Sequence, residues 1–223
     1  MDSRYIVIGC FGALALFLCF FAGFFTKTEK VKTFIALKSL ASFSYVILAL
    51  VACNFVFKTY AYSLFIIGGL AAFMLSTIVR AIPTRSDMFR TFYTYIEGFG
   101  FGMMVVSFFF LMNLPLIGFI VGGVAFIAYL ITYLVVRKKD TKKDKLANLF
   151  LQLIYSFLLG IAINYAIAIF TIQSILLAFG ALVCGAYVTL QTFTTFTNKK
   201  CVIAKNVLLG VGLILLALSI FFI

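Results

Sequence analysis

The sequence predicts an all-α fold: a polytopic membrane bundle of eight transmembrane helices in a single integral membrane domain over residues 1–223. Three observations carry this. Of the 223 residues, 65% are hydrophobic and 11% charged, with a mean hydropathy of +1.22, which leaves too little polar surface for a water-soluble globule. Apolar runs of about 20 residues, the length that crosses roughly 30 Å of hydrocarbon, recur along almost the whole chain. The basic residues between the runs alternate in density, as they do when successive loops lie on opposite faces of a membrane.

The first run, near 5–25, is too long for the apolar stretch of a signal peptide, has one flanking cation and lacks a small-residue cleavage site before its basic end. It is therefore expected to be the first span. Thr26 to Thr33 separates it from the second, near 34–56, and Phe57 to Thr59 separates that from the third, near 60–79. Ala81 to Phe89 precedes the fourth, near 91–112, and the turn Asn113-Leu114-Pro115 leads into the fifth, near 116–136. The basic segment from Arg137 to Ala147 precedes the sixth, near 147–169. A break around Ile172 opens the seventh, near 173–195, and Thr197 to Cys201 the eighth, near 202–223. The runs are too long and too unalternating for barrel strands, and lipid admits no unpaired backbone groups, so each is expected to be helical.

Eight spans put the loops on alternating sides. One side receives Lys27, Lys30 and Lys32; Arg80, Arg85 and Arg90; Arg137, Lys138, Lys139, Lys142, Lys143 and Lys145; and Lys199 and Lys200, against Arg4 and Lys58 on the other. This is 14 loop cations against 2. The rich side is expected to be cytoplasmic, with both termini extracytoplasmic. The formal net charge of +12 therefore orients the chain toward anionic headgroups. Nucleic acid is excluded as a partner, because a basic stripe needs phosphates within reach.

With no histidine, the usual zinc sites and histidine-dependent triads are excluded. Cys10, Cys19, Cys53, Cys184 and Cys201 lack CxxC spacing and read as small apolar packing residues. No phosphate-binding glycine loop and no internal repeat is present, and no cofactor is expected.

Ionisable groups within spans are expensive unless paired or wet, so they are the first functional candidates. Lys38, Arg80, Glu97 and Lys205 are such groups, all toward the cytoplasmic ends. Glu97 is the sole acid in any span and is expected to pair with one of the three cations. For the lysines and arginine the simpler alternative is snorkelling to the headgroups. Neutral polar residues add stripes at helical spacing: Asn148, Gln152 and Ser156 with Tyr155 in the sixth span; Gly180, Cys184, Tyr187, Gln191 and Thr195 in the seventh; Lys38, Ser42 and Tyr45 in the second; Ser76, Thr77 and Arg80 in the third. Asn164 drifts off the row of the sixth span. Each stripe alone is what interhelical hydrogen bonding and small-residue packing produce. Their convergence from the second, third, fourth, sixth, seventh and eighth spans predicts a polar pocket open to the cytosol, suited to an amphiphile with a polar head and an acyl tail.

This arrangement resembles the YhhN-type lysoplasmalogenase family of multi-span membrane proteins. Lys38-Ser39-Leu40 stands where that family has Lys-Pro and apolar residues; Ser76-Thr77 where it has Gly-Asp; Gly98 and Phe101 near its glycine, phenylalanine and a histidine that is absent here; and Tyr155 at its tyrosine. Gly180-Ala181 matches its Gly-Ala, with Cys184 at its phenylalanine and Tyr187-Val188 at its Ser-Asp, while Ala204-Lys205 replaces its Ala-Gln. The resemblance implies a membrane-embedded, lysolipid-handling protein of the bacterial cell membrane that hydrolyses the vinyl-ether bond of lysoplasmalogens to a fatty aldehyde and a glycerophospho head group. Such a reaction needs a proton donor and a base for water. Both acidic positions of the family are neutral here, at Thr77 and Val188. Either Glu97 supplies the acid, or the chain binds a lysolipid without hydrolysing it. The expected catalytic set is Glu97, Thr77 and Tyr187. The expected substrate-binding set is Lys38, Arg80, Lys205, Tyr155, Gln152 and Gln191, with membrane lipids, a lysophospholipid above all, as partners.

Two other readings compete. A lysine near the start of the last span would suit a retinal-bearing helix, but eight spans, a lysine near the interface and the absence of Trp count against it. A small-solute transporter would show repeats and helices broken at the midplane, whereas Pro83 and Pro115 are confined to loops.

Overall fold

A chain this apolar gains little by burying side chains within lipid, so its helices are held by backbone hydrogen bonds within each segment and by close packing between segments. The computed structural model describes residues 3–24, 31–55, 60–82, 87–111, 116–136, 142–193 and 199–223. These form eight helices: α1 Ser3–Phe24, α2 Val31–Asn54, α3 Tyr60–Ala81, α4 Asp87–Phe108, α5 Leu116–Val136, α6 Lys142–Ile169, α7 Ile172–Phe193 and α8 Lys199–Ser219, the last followed by a 3-10 turn, Ile220–Phe222. Among the described residues there is no strand. The Asn113-Leu114-Pro115 turn, Thr195, and loop cations such as Lys27, Lys58, Arg85 and Arg137 lie outside the described residues.

The helix ends differ from expectation in a consistent way. α2, α6 and α8 begin three to five residues earlier than their apolar runs, taking in Lys32, Lys142 to Lys145, and Lys199 with Lys200. Lysine is a good helix former, and hydropathy drops where side chains become polar although the helix continues. α4 also begins early and ends early, running from Asp87 to Phe108, and a turn follows, closed by Phe109 N–H to Val106 O at 3.1 Å and Leu111 N–H to Phe108 O at 3.0 Å.

Seven helices are long and apolar enough to cross a membrane, which makes the chain a multi-pass membrane protein. The exception is α4, whose polar residues reduce its hydropathy. Several of these face the interior: Thr94 and Glu97 are buried, and α4 packs between α3 and α6.

Sequence neighbours other than α4 and α5 pair as antiparallel hairpins, with α8 at the centre against α1, α2, α3 and α7. α5 packs chiefly on α6, where Gly118 and Gly122 meet Gly160 so closely that a Cβ on Gly122 would stand 2.7 Å from Ser156 O. This spacing of small residues lets helix backbones touch. Between α3 and α4, Gly69 approaches Gly100 in the same way, a Cβ there falling 2.7 Å from the Gly100 carbonyl oxygen. The interior between these hairpins is apolar and aromatic: Phe73 and Phe101 meet edge to face at 4.6 Å between ring centroids, and Leu70, Met104 and Phe108 are fully buried. The α6–α7 connection is tight. Phe170 takes a left-handed φ of 48°, and Thr171 caps α7, its Oγ1 accepting from Ser174 N–H at 3.3 Å while Ser174 Oγ accepts from Thr171 N–H at 2.9 Å.

Candidate functional site

The antiparallel registers decide which polar residues meet. Ser76 on α3 lies level with Glu97 on α4, and the Ser76 hydroxyl donates to Glu97 Oε1 at 2.8 Å. Arg80, one turn further along α3, is level with Tyr93, whose ring lies 4.3 Å from its guanidinium carbon. From there the guanidinium turns inward and forms an ion pair with Glu97 Oε1. Tyr187 on α7 donates its hydroxyl to the same oxygen at 2.8 Å. Glu97 is 1% exposed, and three donors on one carboxylate oxygen are what a buried charge needs to be tolerated. Its second oxygen, Oε2, is buried with no hydrogen-bond partner. The expected pairing of Glu97 with one of the three cations is thus present, with Arg80 as the partner. Arg80 does not snorkel outward.

The other two cations approach the same region. Lys205 on α8 is 6% exposed and donates to the Gln191 side-chain carbonyl of α7, the residue opposite it in the antiparallel register. Its ammonium lies 5.9 Å from the Tyr187 ring centroid, and the Arg80 guanidinium lies 5.8 Å from the same centroid, so Tyr187 neighbours two cations. Lys38 on α2 is 7% exposed. Its ammonium lies 5.8 Å from the Phe34 ring, and it makes no hydrogen bond or ion pair among the described residues. Because α2, α4 and α8 start earlier than their apolar runs, Lys38, Glu97 and Lys205 each lie about one turn further from the start of their helix than the sequence suggests.

A cavity of about 490 Å³ opens between these helices. Its polar wall is Lys38, Ser42, Tyr45, Thr77, Arg80, Tyr93, Lys205 and Asn206; its apolar wall includes Cys19 and Ala22 of α1, Phe34 and Ala41 of α2, and Val202 and Leu209 of α8. Of the expected site residues, Lys38, Thr77, Arg80 and Lys205 line it directly. Glu97, Tyr187 and Gln191 stand behind the wall and hold Arg80 and Lys205 in place.

Gln152 and Tyr155 do not join them. α6 faces α4, α5 and α7 and contributes nothing to the cavity lining. The Tyr155 hydroxyl donates to Ala181 O at 2.8 Å, tying α6 to α7, and its ring packs edge to face against Phe101. Gln152 is buried within the bundle. Their stripe is a helix-packing seam. The place expected for α6 is taken by α1, which has no polar stripe to announce it.

Tyr93 and Asn206 were not expected. Tyr93 precedes Glu97 by four residues and so shares its face one turn nearer the loop, a relation the sequence contains. Asn206 falls with Val202 and Leu209 on one row of α8 beside Lys205.

Among the described residues no group of three or more His, Cys, Asp or Glu comes together that could hold a metal ion. Chemically, the site is a half-apolar cavity with three cations in its wall and a single carboxylate behind it. Compared with protein-family models, curated proteins and solved structures, the chain matches none.

Proposed function

We propose that the chain is an eight-span membrane protein with both termini extracytoplasmic that handles lysolipids, holding the polar head in the cavity and the acyl tail against its apolar wall. The observation that carries this reading is the unpaired ammonium of Lys38 in a cavity whose other wall is Phe34, Ala41 and Leu209. A small polar solute would leave that wall unused, and a hydrocarbon would leave the cations unmet. The count of 14 loop cations against 2 supports the orientation. α4 serves as the eighth span on length, since 22 residues rise about 33 Å, with Glu97 and Thr94 turned inward.

Resemblance to the lysoplasmalogenases supports vinyl-ether hydrolysis as the reaction. The vinyl carbon takes up a proton, water adds to the resulting oxocarbenium carbon, and the hemiacetal collapses to aldehyde and glycerophospho alcohol. Glu97 is the acid in this reading, with Thr77 at the cavity wall and Tyr187 bonded to Glu97 as its companions. A second reading, binding or carrying a lysolipid without hydrolysis, is favoured by one observation: Glu97 is committed to Arg80 and does not line the cavity.

The deciding experiment incubates purified protein with a lysoplasmalogen and a lysophospholipid and follows aldehyde and fatty acid release. Aldehyde from the intact protein, lost in Glu97→Gln, is the expected result for hydrolysis. Saturable binding without product selects the second reading, and absence of binding removes both.

A further inference from the structure

The charge of the cavity wall is one-sided. Lys38, Arg80 and Lys205 all line it, and no acidic side chain is among its described lining residues. With Glu97 behind Arg80, these four side chains sum to +2. A lysolipid head of the choline or ethanolamine type carries its own cation beside the phosphate. That cation would need a carboxylate or an open aromatic face. The carboxylate is already taken by Arg80. Of the rings in the wall, Tyr93 carries Arg80 at 4.3 Å and Phe34 faces Lys38 at 5.8 Å, while the Tyr45 ring shares that wall with Lys38, Arg80 and Lys205. A quaternary ammonium entering here would therefore meet three protein cations with no carboxylate in the wall to offset them.

A phosphate monoester meets the opposite situation. It carries about −1.5 to −2 charges at neutral pH and three acceptor oxygens. Two donors in the wall stand unpartnered and buried: the Lys38 ammonium, on a residue 7% exposed, and the Tyr45 hydroxyl, on a residue 3% exposed.

We infer that the cavity selects a head group ending in a phosphate monoester over a zwitterionic one, so that its lysolipid is of the lysophosphatidate class. This rests on the lysolipid reading above and sharpens it. Lys38 and Tyr45 donate to the phosphate oxygens, Arg80 supplies the second charge, and the glycerol and acyl chain run along Ala41 and Leu209.

The test is equilibrium binding by native mass spectrometry on the full chain in a non-ionic detergent. The probes are lysophosphatidate, lysophosphatidylcholine and lysophosphatidylethanolamine of one acyl length, together with glycerol 3-phosphate and inorganic phosphate. Lysophosphatidate is expected to bind about tenfold more tightly than either zwitterionic lysolipid, the worth of one charge-assisted hydrogen bond. Lys38→Gln lowers lysophosphatidate affinity about tenfold and the zwitterionic lysolipids by less, so that the preference disappears, and Lys38→Arg retains it. Tyr45→Phe, a smaller change that preserves packing, lowers lysophosphatidate affinity by about threefold. Equal binding of all three lysolipids overturns the head-group inference and leaves lysolipid handling standing. Glycerol 3-phosphate or phosphate binding as tightly as lysophosphatidate overturns the lipid source and retains the phosphate site. Binding of none overturns both.

Discussion

Glu97 and Arg80 are the residues whose removal separates structure from chemistry. Replacing Glu97 by Gln leaves Arg80 without its counter-charge in a site where the guanidinium keeps only 20% of its side-chain surface. The expected loss is about 1–3 kcal/mol, less than for a fully buried pair because of that residual exposure. Thermal unfolding in detergent measures it. Adding Arg80→Met to Glu97→Gln should recover most of the loss, since an apolar pair of similar size does not need the charge. Failure to recover would mean that Arg80 is held by something other than Glu97. Tyr187→Phe should cost about 1 kcal/mol by deleting one donor to Glu97 Oε1. Glu97 itself was legible as the one acid in a span. That its partner is Arg80 was not, because the choice among three cations depends on register, and register depends on where α3 and α4 meet at Gly69 and Gly100.

At the scale of the helix, seams of small residues determine the spacing. Gly122→Leu would drive a side chain into the Ser156 and Phe157 backbone of α6, and overpacking of this kind costs about 1–3 kcal/mol. Because α5 does not line the cavity, lysolipid binding by the folded fraction should be unchanged; a binding defect equal to that of Lys38→Gln would contradict the placement of the site. At the α6–α7 turn, Phe170→Gly should stabilise by up to about 1 kcal/mol, since the left-handed φ of 48° suits glycine. The same scale explains what the sequence conceals. A polar stripe such as Asn148, Gln152 and Ser156 shows that a helix has an inward face but not which neighbours that face meets. For α6 they are α4, α5 and α7, not the cavity. Hydropathy likewise ends where lysines begin, although α6 continues back to Lys142.

For the whole molecule, the proposed orientation makes a direct prediction. With eight spans and the basic loops inside, a reporter fused at the C-terminus is translocated, and an alkaline phosphatase fusion there is active while a cytosolic fluorescent fusion is dark. The reverse pattern breaks the eight-span arrangement, most simply by removing α4 as a span. Number and length of helices were readable because a membrane imposes one length on every crossing. The identity of the cavity wall was less so, since α1 contributes through Cys19 and Ala22, residues with no polar signature.

The buried ion pair also bears on how the chain enters a bilayer. Arg80 and Glu97 belong to consecutive helices joined by a short connection, so during synthesis the acid emerges just after the cation that will hold it. Lys205 follows Gln191 in the same order on α7 and α8. Each of these polar side chains can thus leave the insertion machinery as half of a hairpin already matched, while α5, apolar on its outer face, can wait in lipid for α6.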